Sequence, residues 1–169
     1  MDIITKAKVF ATAAHAAVGQ KRKYSGDDYI VHPARVASNV SYWGGTDNQI
    51  AAAWLHDVVE DTHVTINVIR NVFGDAVADI VDGLTDVSVS SDGNRKTRKA
   101  IDRQHSANAS ADAQFVKCAD IIDNSADIGA NDPNFARVYK QEMMSLLDVM
   151  DKVKNTPIYH AAIASVSTM

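Results

Sequence analysis

The stretch Trp54-Leu55-His56-Asp57-Val58-Val59-Glu60-Asp61-Thr62 decides the reading of this chain. On a helix turning about 100° per residue, His56, Glu60, Asp57 and Asp61 fall at roughly 0°, 40°, 100° and 140°. Four ionisable groups thus share one arc, and Leu55, Val58 and Val59 occupy the rest. Ionisable groups on an apolar helix cost free energy unless they are paired or hold a cation. The pattern therefore points to a metal site; the plain alternative is a set of acids that face water.

A metal needs further ligands, and the sequence offers two on either side. His32 stands immediately before Pro33, at the expected start of a helix, where a side chain can point into a bundle. Asp120 lies in Phe115-Val116-Lys117-Cys118-Ala119-Asp120-Ile121-Ile122-Asp123-Asn124, an apolar helix with embedded acids. Two imidazoles and two carboxylates form a borderline-hard donor set that suits Mn, Fe or Zn. Taken singly each residue is more often structural; the combination carries the argument.

Outward from this stretch the chain reads as helices. Only 3 Pro and 8 Gly punctuate it, which favours helix over a strand-rich fold. The spacing predicts a first helix over 2–18 ended by Gly19, then a polar loop over 20–29. A second helix takes Pro33 as its first residue and stops near Gly44-Gly45. Asp47 caps a third, running through Val58; Thr65 caps a fourth, with Ile66, Ile69 and Phe73 at helical spacing; Gly74-Asp75 opens a fifth reaching Leu84. Residues 87–93 read as a loop, 94–103 as a basic helix, 111–128 and 134–152 as two long helices, and a short helix follows Pro157. At 169 residues without repeat or linker, the expectation is one all-α domain, a bundle of about eight helices.

Composition narrows the function. Seventeen Lys and Arg against twenty-one Asp and Glu give a net charge of −4, which disfavours a duplex-DNA or anionic-membrane binder. The longest apolar run, Ile50 to Leu55, is six residues, far short of a span. Lys6 and Lys8 before an Ala-rich segment faintly imitate a signal peptide, but Asp2 and His15 argue against one. Cys118 is the single cysteine, so no internal disulfide forms and no Cys-rich zinc module fits. A cytoplasmic protein is expected.

The motifs resemble the HD-domain hydrolases of the RelA/SpoT type. The resemblance rests on Tyr29-Ile30-Val31-His32-Pro33, on Leu55-His56-Asp57-Val58-Val59-Glu60-Asp61-Thr62, and on Lys117-Cys118-Ala119-Asp120 with Asn124. It extends to Gly19-Gln20-Lys21-Arg22-Lys23 and to Phe73-Gly74-Asp75 through Val81-Asp82-Gly83-Leu84-Thr85. Since 169 residues leave no room for a nucleotide-synthesising domain, the likeness is to the stand-alone small alarmone hydrolases. It implies an HD-domain metal-dependent phosphohydrolase over residues 1–169, with Mn²⁺ bound by His32, His56, Asp57 and Asp120. It further implies that Glu60 and Asp61 are the catalytic acids, that Arg22, Lys23 and Asn124 bind substrate, and that ppGpp or pppGpp loses its 3′-pyrophosphate to give GDP or GTP. The chain departs from the common pattern after the last metal Asp, where Arg-Leu-His-Asn is replaced by Ile121-Ile122-Asp123-Asn124. Another nucleotide, a pyrophosphorylated RNA 3′ end, and a silent nucleotide-binding module are the alternatives.

Eight basic residues fall in two short stretches, Lys21 to Lys23 and Arg95 to Arg103. They read either as a phosphate-binding mouth or as solvated faces. His15, His63, His105 and His160 read as surface or packing residues, and Cys118, Met143, Met144, Leu146 and Leu147 as core.

Overall fold

The computed structural model describes residues 1–169. Asp2 starts α1 (Ile3–Ala17) by accepting the Thr5 N–H at 2.8 Å, and Gly19, at φ 64°, turns the chain away. Helix α2 spans Val31–Tyr42, so Pro33 is its third residue rather than its first. Its missing N–H is one that the first helical turn leaves unpaired in any case, so the helix begins two residues earlier and His32 lies inside it. Thr46, not Asp47, caps α3 (Asp47–Leu55), exchanging hydrogen bonds with Gln49 in a capping box.

The expected continuous third helix breaks at His56-Asp57, and a separate short α4 covers Val58–Asp61. The Ala53 carbonyl, which an unbroken helix would offer to the Asp57 N–H, faces Nδ1 of His56 at 2.8 Å. Asp57 sits at φ −98°, ψ −2°, the bridge region between helix and strand. The arc drawn for an unbroken helix therefore does not hold beyond Leu55.

Thr65 caps α5 (Ile66–Phe73), and Gly74, at φ 85°, joins it to α6 (Asp75–Leu84). Helix α7 (Arg95–Asn108) runs five residues past its expected end, and α8 (Ala111–Asn131) three past its own. Then come α9 (Pro133–Val149), a 3-10 turn that takes in Lys152, and α10 (Pro157–Ser167). No strand forms; Lys21 and Asp28 make an isolated bridge in the loop.

Helix α3 lies at the centre, against α1, α2, α6 and α8. Ala51, Ala52 and Ala53 are fully buried, and their small side chains let four helices close around it. Helix α8 forms the second axis, packed on α2, α3, α6, α9 and α10. Gly83 marks a tight crossing, where a Cβ would come within 2.9 Å of the Ala113 methyl. Leu55, Ile69, Ile121, Leu147 and Ile158 are fully enclosed, each contributing about 1.5–3 kcal/mol relative to exposure. Cys118, Met143, Leu146 and Leu147 are core as expected; Met144 points outward at 38% exposure.

Candidate metal centre

The two axial helices carry the polar cluster between them. The first turn of α2 supplies His32, the break between α3 and α4 supplies His56 and Asp57, and the middle of α8 supplies Asp120. His32, His56 and Asp120 are 1%, 3% and 6% exposed. One donor atom from each of His32, His56 and Asp57 lies within 4.8 Å of the others. The Nε2 atoms of the two histidines stand 3.2 Å apart, and Asp57 Oδ2 lies 3.0 Å from His56 Nε2. Asp120 Oδ1 approaches His32 Nε2 at 3.1 Å and His56 Nε2 at 3.6 Å.

Outer partners orient every group. His56 Nδ1 donates to the Ala53 carbonyl, and His32 Nδ1 to the Asp123 carboxylate at 2.6 Å, which Arg35 Nε holds from behind at 2.7 Å. Both acceptors lack protons, so Nδ1 carries hydrogen in each ring, and in the neutral form of each ring Nε2 turns a lone pair inward. Tyr29 Oη donates to Asp57 Oδ2 at 2.5 Å, Lys117 Nζ to Asp120 Oδ2 at 2.9 Å, and Asn124 Nδ2 to Asp120 Oδ1 at 2.7 Å. Two imidazole lone pairs and two carboxylates thus converge in a buried space, an arrangement that repels itself unless a cation sits among them. This donor set fits a divalent metal.

With no cation among them, the carboxylates draw protons onto the rings instead. Burial opposes charge on both imidazoles, yet Asp120 and Asp123 raise His32, and Asp57 and Asp120 raise His56 well above the ordinary histidine value. Burial would lift the two carboxyls, but the charge on His56 holds Asp57 low and that on Lys117 holds Asp120 well below the usual range. Lys117 keeps its proton against burial because of Asp120.

Glu60 and Asp61 flank this cluster on α4. Glu60 is exposed as a residue, but neighbouring atoms crowd its carboxyl and Asp86 adds negative charge, pushing it up to about 7. Its Oε1 accepts the Asp86 N–H. Burial also raises Asp61, opposed by the hydrogen bond that Gln20 Nε2 donates to its Oδ2 at 2.8 Å.

The expected substrate contacts are placed differently from one another. Asn124 grips Asp120. Arg22 makes a largely buried ion pair with Asp127 at 2.6 Å, over the Tyr29 ring. Lys23 is exposed, 3.4 Å from Asp132. Its Nζ lies 5.8 Å from the centre of the Phe135 ring, and the Arg95 guanidinium 5.2 Å from the same ring. The two basic stretches therefore meet at Phe135. Within the second, Arg95 pairs with Glu142 and Lys99 with Asp86.

Sequence reasoning passed over Tyr29, Lys117, Asp123 and Arg35. Asp123 and Lys117 carried a signal, an acid and a base inside an apolar helix beside Asp120. His15 takes the packing alternative and gains a polar partner: it is 1% exposed, its Nδ1 lies 2.7 Å from Gln20 Oε1 and its ring 4.8 Å from that of Tyr29. His105 Nε2 meets the Asp82 carbonyl at 2.8 Å; His63 and His160 are exposed.

Comparison with known proteins adds four findings. The HD-domain family matches residues 7–147. A guanosine-3′,5′-bis(diphosphate) 3′-pyrophosphohydrolase, MESH1 of Xenopus tropicalis, is 37% identical over 130 residues, covering 75% of this chain and 69% of that protein. A probable enzyme of the same description from Synechocystis is 44% identical over 86 residues, 51% of this chain, and the alignment spans only 11% of that protein's length. Among solved structures, a metazoan orthologue of SpoT superposes with a TM-score of 0.80 over 99% of this chain and 95% of its own, at 24% identity, which establishes the shared fold.

Proposed function

The chain belongs to the HD-domain family, and on that premise we propose that it hydrolyses guanosine 3′,5′-bis(diphosphate) at the 3′-pyrophosphate, giving GDP from ppGpp and GTP from pppGpp. The family implies a divalent metal, and His32, His56 and Asp57 form a site that fits one. We assign Asp120 as the fourth ligand and Mn²⁺ as the ion, with Fe²⁺ and Zn²⁺ compatible with the same nitrogen and oxygen donors. The observation that carries this reading is the inward convergence of two fixed Nε2 lone pairs and two carboxylates. The named relatives, MESH1 of Xenopus tropicalis among them, supply the substrate class.

When bound, the ion supplies Lewis acidity, lowering the pKa of water from 15.7 towards about 7 and neutralising phosphoryl charge. Asp61, oriented by the Gln20 amide, whose hydrogen bond opposes the upward push of burial on the carboxyl, takes the proton from the attacking water. Glu60, poised at about 7, retains a proton through much of the neutral range and gives it to the departing 3′-oxygen. The bond between the 3′-oxygen and phosphorus breaks as water oxygen bonds to that phosphorus, and pyrophosphate leaves. On the rim at Phe135, Lys23 and Arg95 are exposed enough to exchange their acid partners, Asp132 and Glu142, for the nucleotide's phosphates.

Incubation with Mn²⁺ and a nucleotide panel tests this. Release of pyrophosphate and GDP from ppGpp is expected. Turnover confined to another nucleotide or to a pyrophosphorylated RNA 3′ end would reassign the substrate, and ppGpp binding without turnover would make the chain a sensor.

A further inference from the structure

We infer that His15 and Gln20 form a positioning chain for Asp61, fixing one carboxylate oxygen so that the other faces the water; the inference rests on the role given to Asp61 above. Two hydrogen bonds in series carry it. His15 Nδ1 meets Gln20 Oε1 at 2.7 Å, and Gln20 Nε2 meets Asp61 Oδ2 at 2.8 Å. The direction of both bonds follows from Asp61. A carboxylate only accepts, so the amide must turn its NH₂ towards Asp61 and its oxygen towards His15. Nδ1 of His15 must then carry the proton, and the chain of donors runs one way, from α1 through the loop to α4.

Gln20 has little freedom to do otherwise. Its N–H bonds the His15 carbonyl at 3.3 Å, and its own carbonyl accepts the Tyr29 N–H at 3.2 Å. Gly19, at φ 64°, makes the turn that returns Gln20 beneath its own helix. The His15 ring is buried and lies against Tyr29, whose hydroxyl holds Asp57. One ring thus backs both a metal-centre carboxylate and the proton-accepting one.

A packing histidine accounts poorly for this placement. Nε2 of His15 is buried with no hydrogen-bond partner, a desolvation penalty that nothing offsets. An apolar side chain of similar size would fill the space without that penalty. What it could not do is fix the Gln20 amide. Asp61, by contrast, ends a four-residue helix and is otherwise exposed, so its carboxylate has rotational freedom that the amide removes before reaction.

The test reads ppGpp turnover, metal content and melting of the full chain. Gln20→Leu should lower kcat about 10- to 100-fold, the usual scale for an orienting partner, with KM and bound Mn²⁺ unchanged. Gln20→Glu keeps the acceptor for His15 and loses the donor to Asp61, so it should match Gln20→Leu even where the leucine variant folds poorly. His15→Asn, which restores a donor, should exceed His15→Ala in kcat. The deciding comparison is made in an Asp61→Asn background, where Gln20→Leu should cost nothing further because its target is gone. An undiminished loss in that background would overturn the chain while leaving Asp61 in its role. A wild-type kcat for Asp61→Asn alone would remove that role first.

Discussion

The metal centre and the rim at Phe135 are both built from charged side chains, and they are held in opposite ways. In the centre every group has a second partner behind it: Ala53 and Asp123 behind the imidazoles, Tyr29 and Lys117 behind the carboxylates. Those partners come from α3, from α8 and from the loop before α2, so three parts of the chain hold the cluster in place before anything binds. On the rim, Lys23 and Arg95 meet single acids, with side chains 72% and 48% exposed. Exposed pairs are worth about 0–1 kcal/mol each, whereas a buried charge stripped of its partner costs about 3–5 kcal/mol. The centre is therefore an all-or-none device and the rim an adjustable one. Substitutions in the two regions should differ in kind, not only in degree.

The largest effect is expected at Asp57. Asp57→Ala removes a ligand and leaves the Tyr29 hydroxyl without its acceptor, and turnover should fall about 10⁴-fold or more, over about 5 kcal/mol of transition-state stabilisation. Pyrophosphate release and elemental analysis after dialysis measure it. Near-normal turnover with metal retained would break the comparison at its first term.

Next come the flanking acids. Glu60→Gln and Asp61→Asn should keep the metal and lower kcat by about 10² to 10⁴, the usual worth of general acid–base help. Loss of metal in either variant would move that residue into the centre.

Much of this was legible in the sequence, and the failures have physical causes. Helix existence came from spacing and from start and stop signals at Gly19, Thr65 and Gly74, local features that packing did not override. The break at His56-Asp57 was not legible, because the His56 imidazole replaces a backbone donor at Ala53 and propensity carries no trace of that. His32, His56, Asp57 and Asp120 could be singled out because polar groups on apolar helices are conspicuous. The ion pair of Arg22 was not legible: its partner Asp127 lies 105 residues away on α8, and only the fold brings them together. His15 looked like an isolated residue for the same reason in miniature, since its contact with Gln20 depends on the turn at Gly19.

The rim supplies the third test. Lys23→Ala should raise KM for ppGpp about 2- to 5-fold in low salt, with kcat little changed, and the effect should fade above physiological ionic strength as screening shortens to about 8 Å or less. Arg22→Ala should instead lower stability by about 2 kcal/mol, because Asp127 is left partly buried and unpaired; urea denaturation separates the two. A salt-sensitive KM effect at Arg22 without loss of stability would place it on the rim after all.

The smallest effect belongs to Glu60, which stands on the boundary between the two regions, exposed as a residue yet crowded at its carboxyl. In the folded chain that group keeps its proton up to about 7, against an ordinary value of 4.5. Between those two values the folded state binds more protons than the unfolded state, so this group makes stability fall as pH rises. The penalty is absent below pH 4.5 and complete above about 7. Gln cannot ionise, and its carbonyl still accepts the Asp86 N–H. In metal-free protein the melting temperature of Glu60→Gln should therefore equal that of the wild type at pH 4 and exceed it at pH 8. The gap should be about 1–3 °C, kept small because solvent reaching the side chain screens the charge. A gap that is constant with pH would show that crowding does not govern this carboxyl and would assign Glu60 to the open rim. A gap that widens towards acid would reverse the sign and place a favourable partner for the ionised form at Glu60.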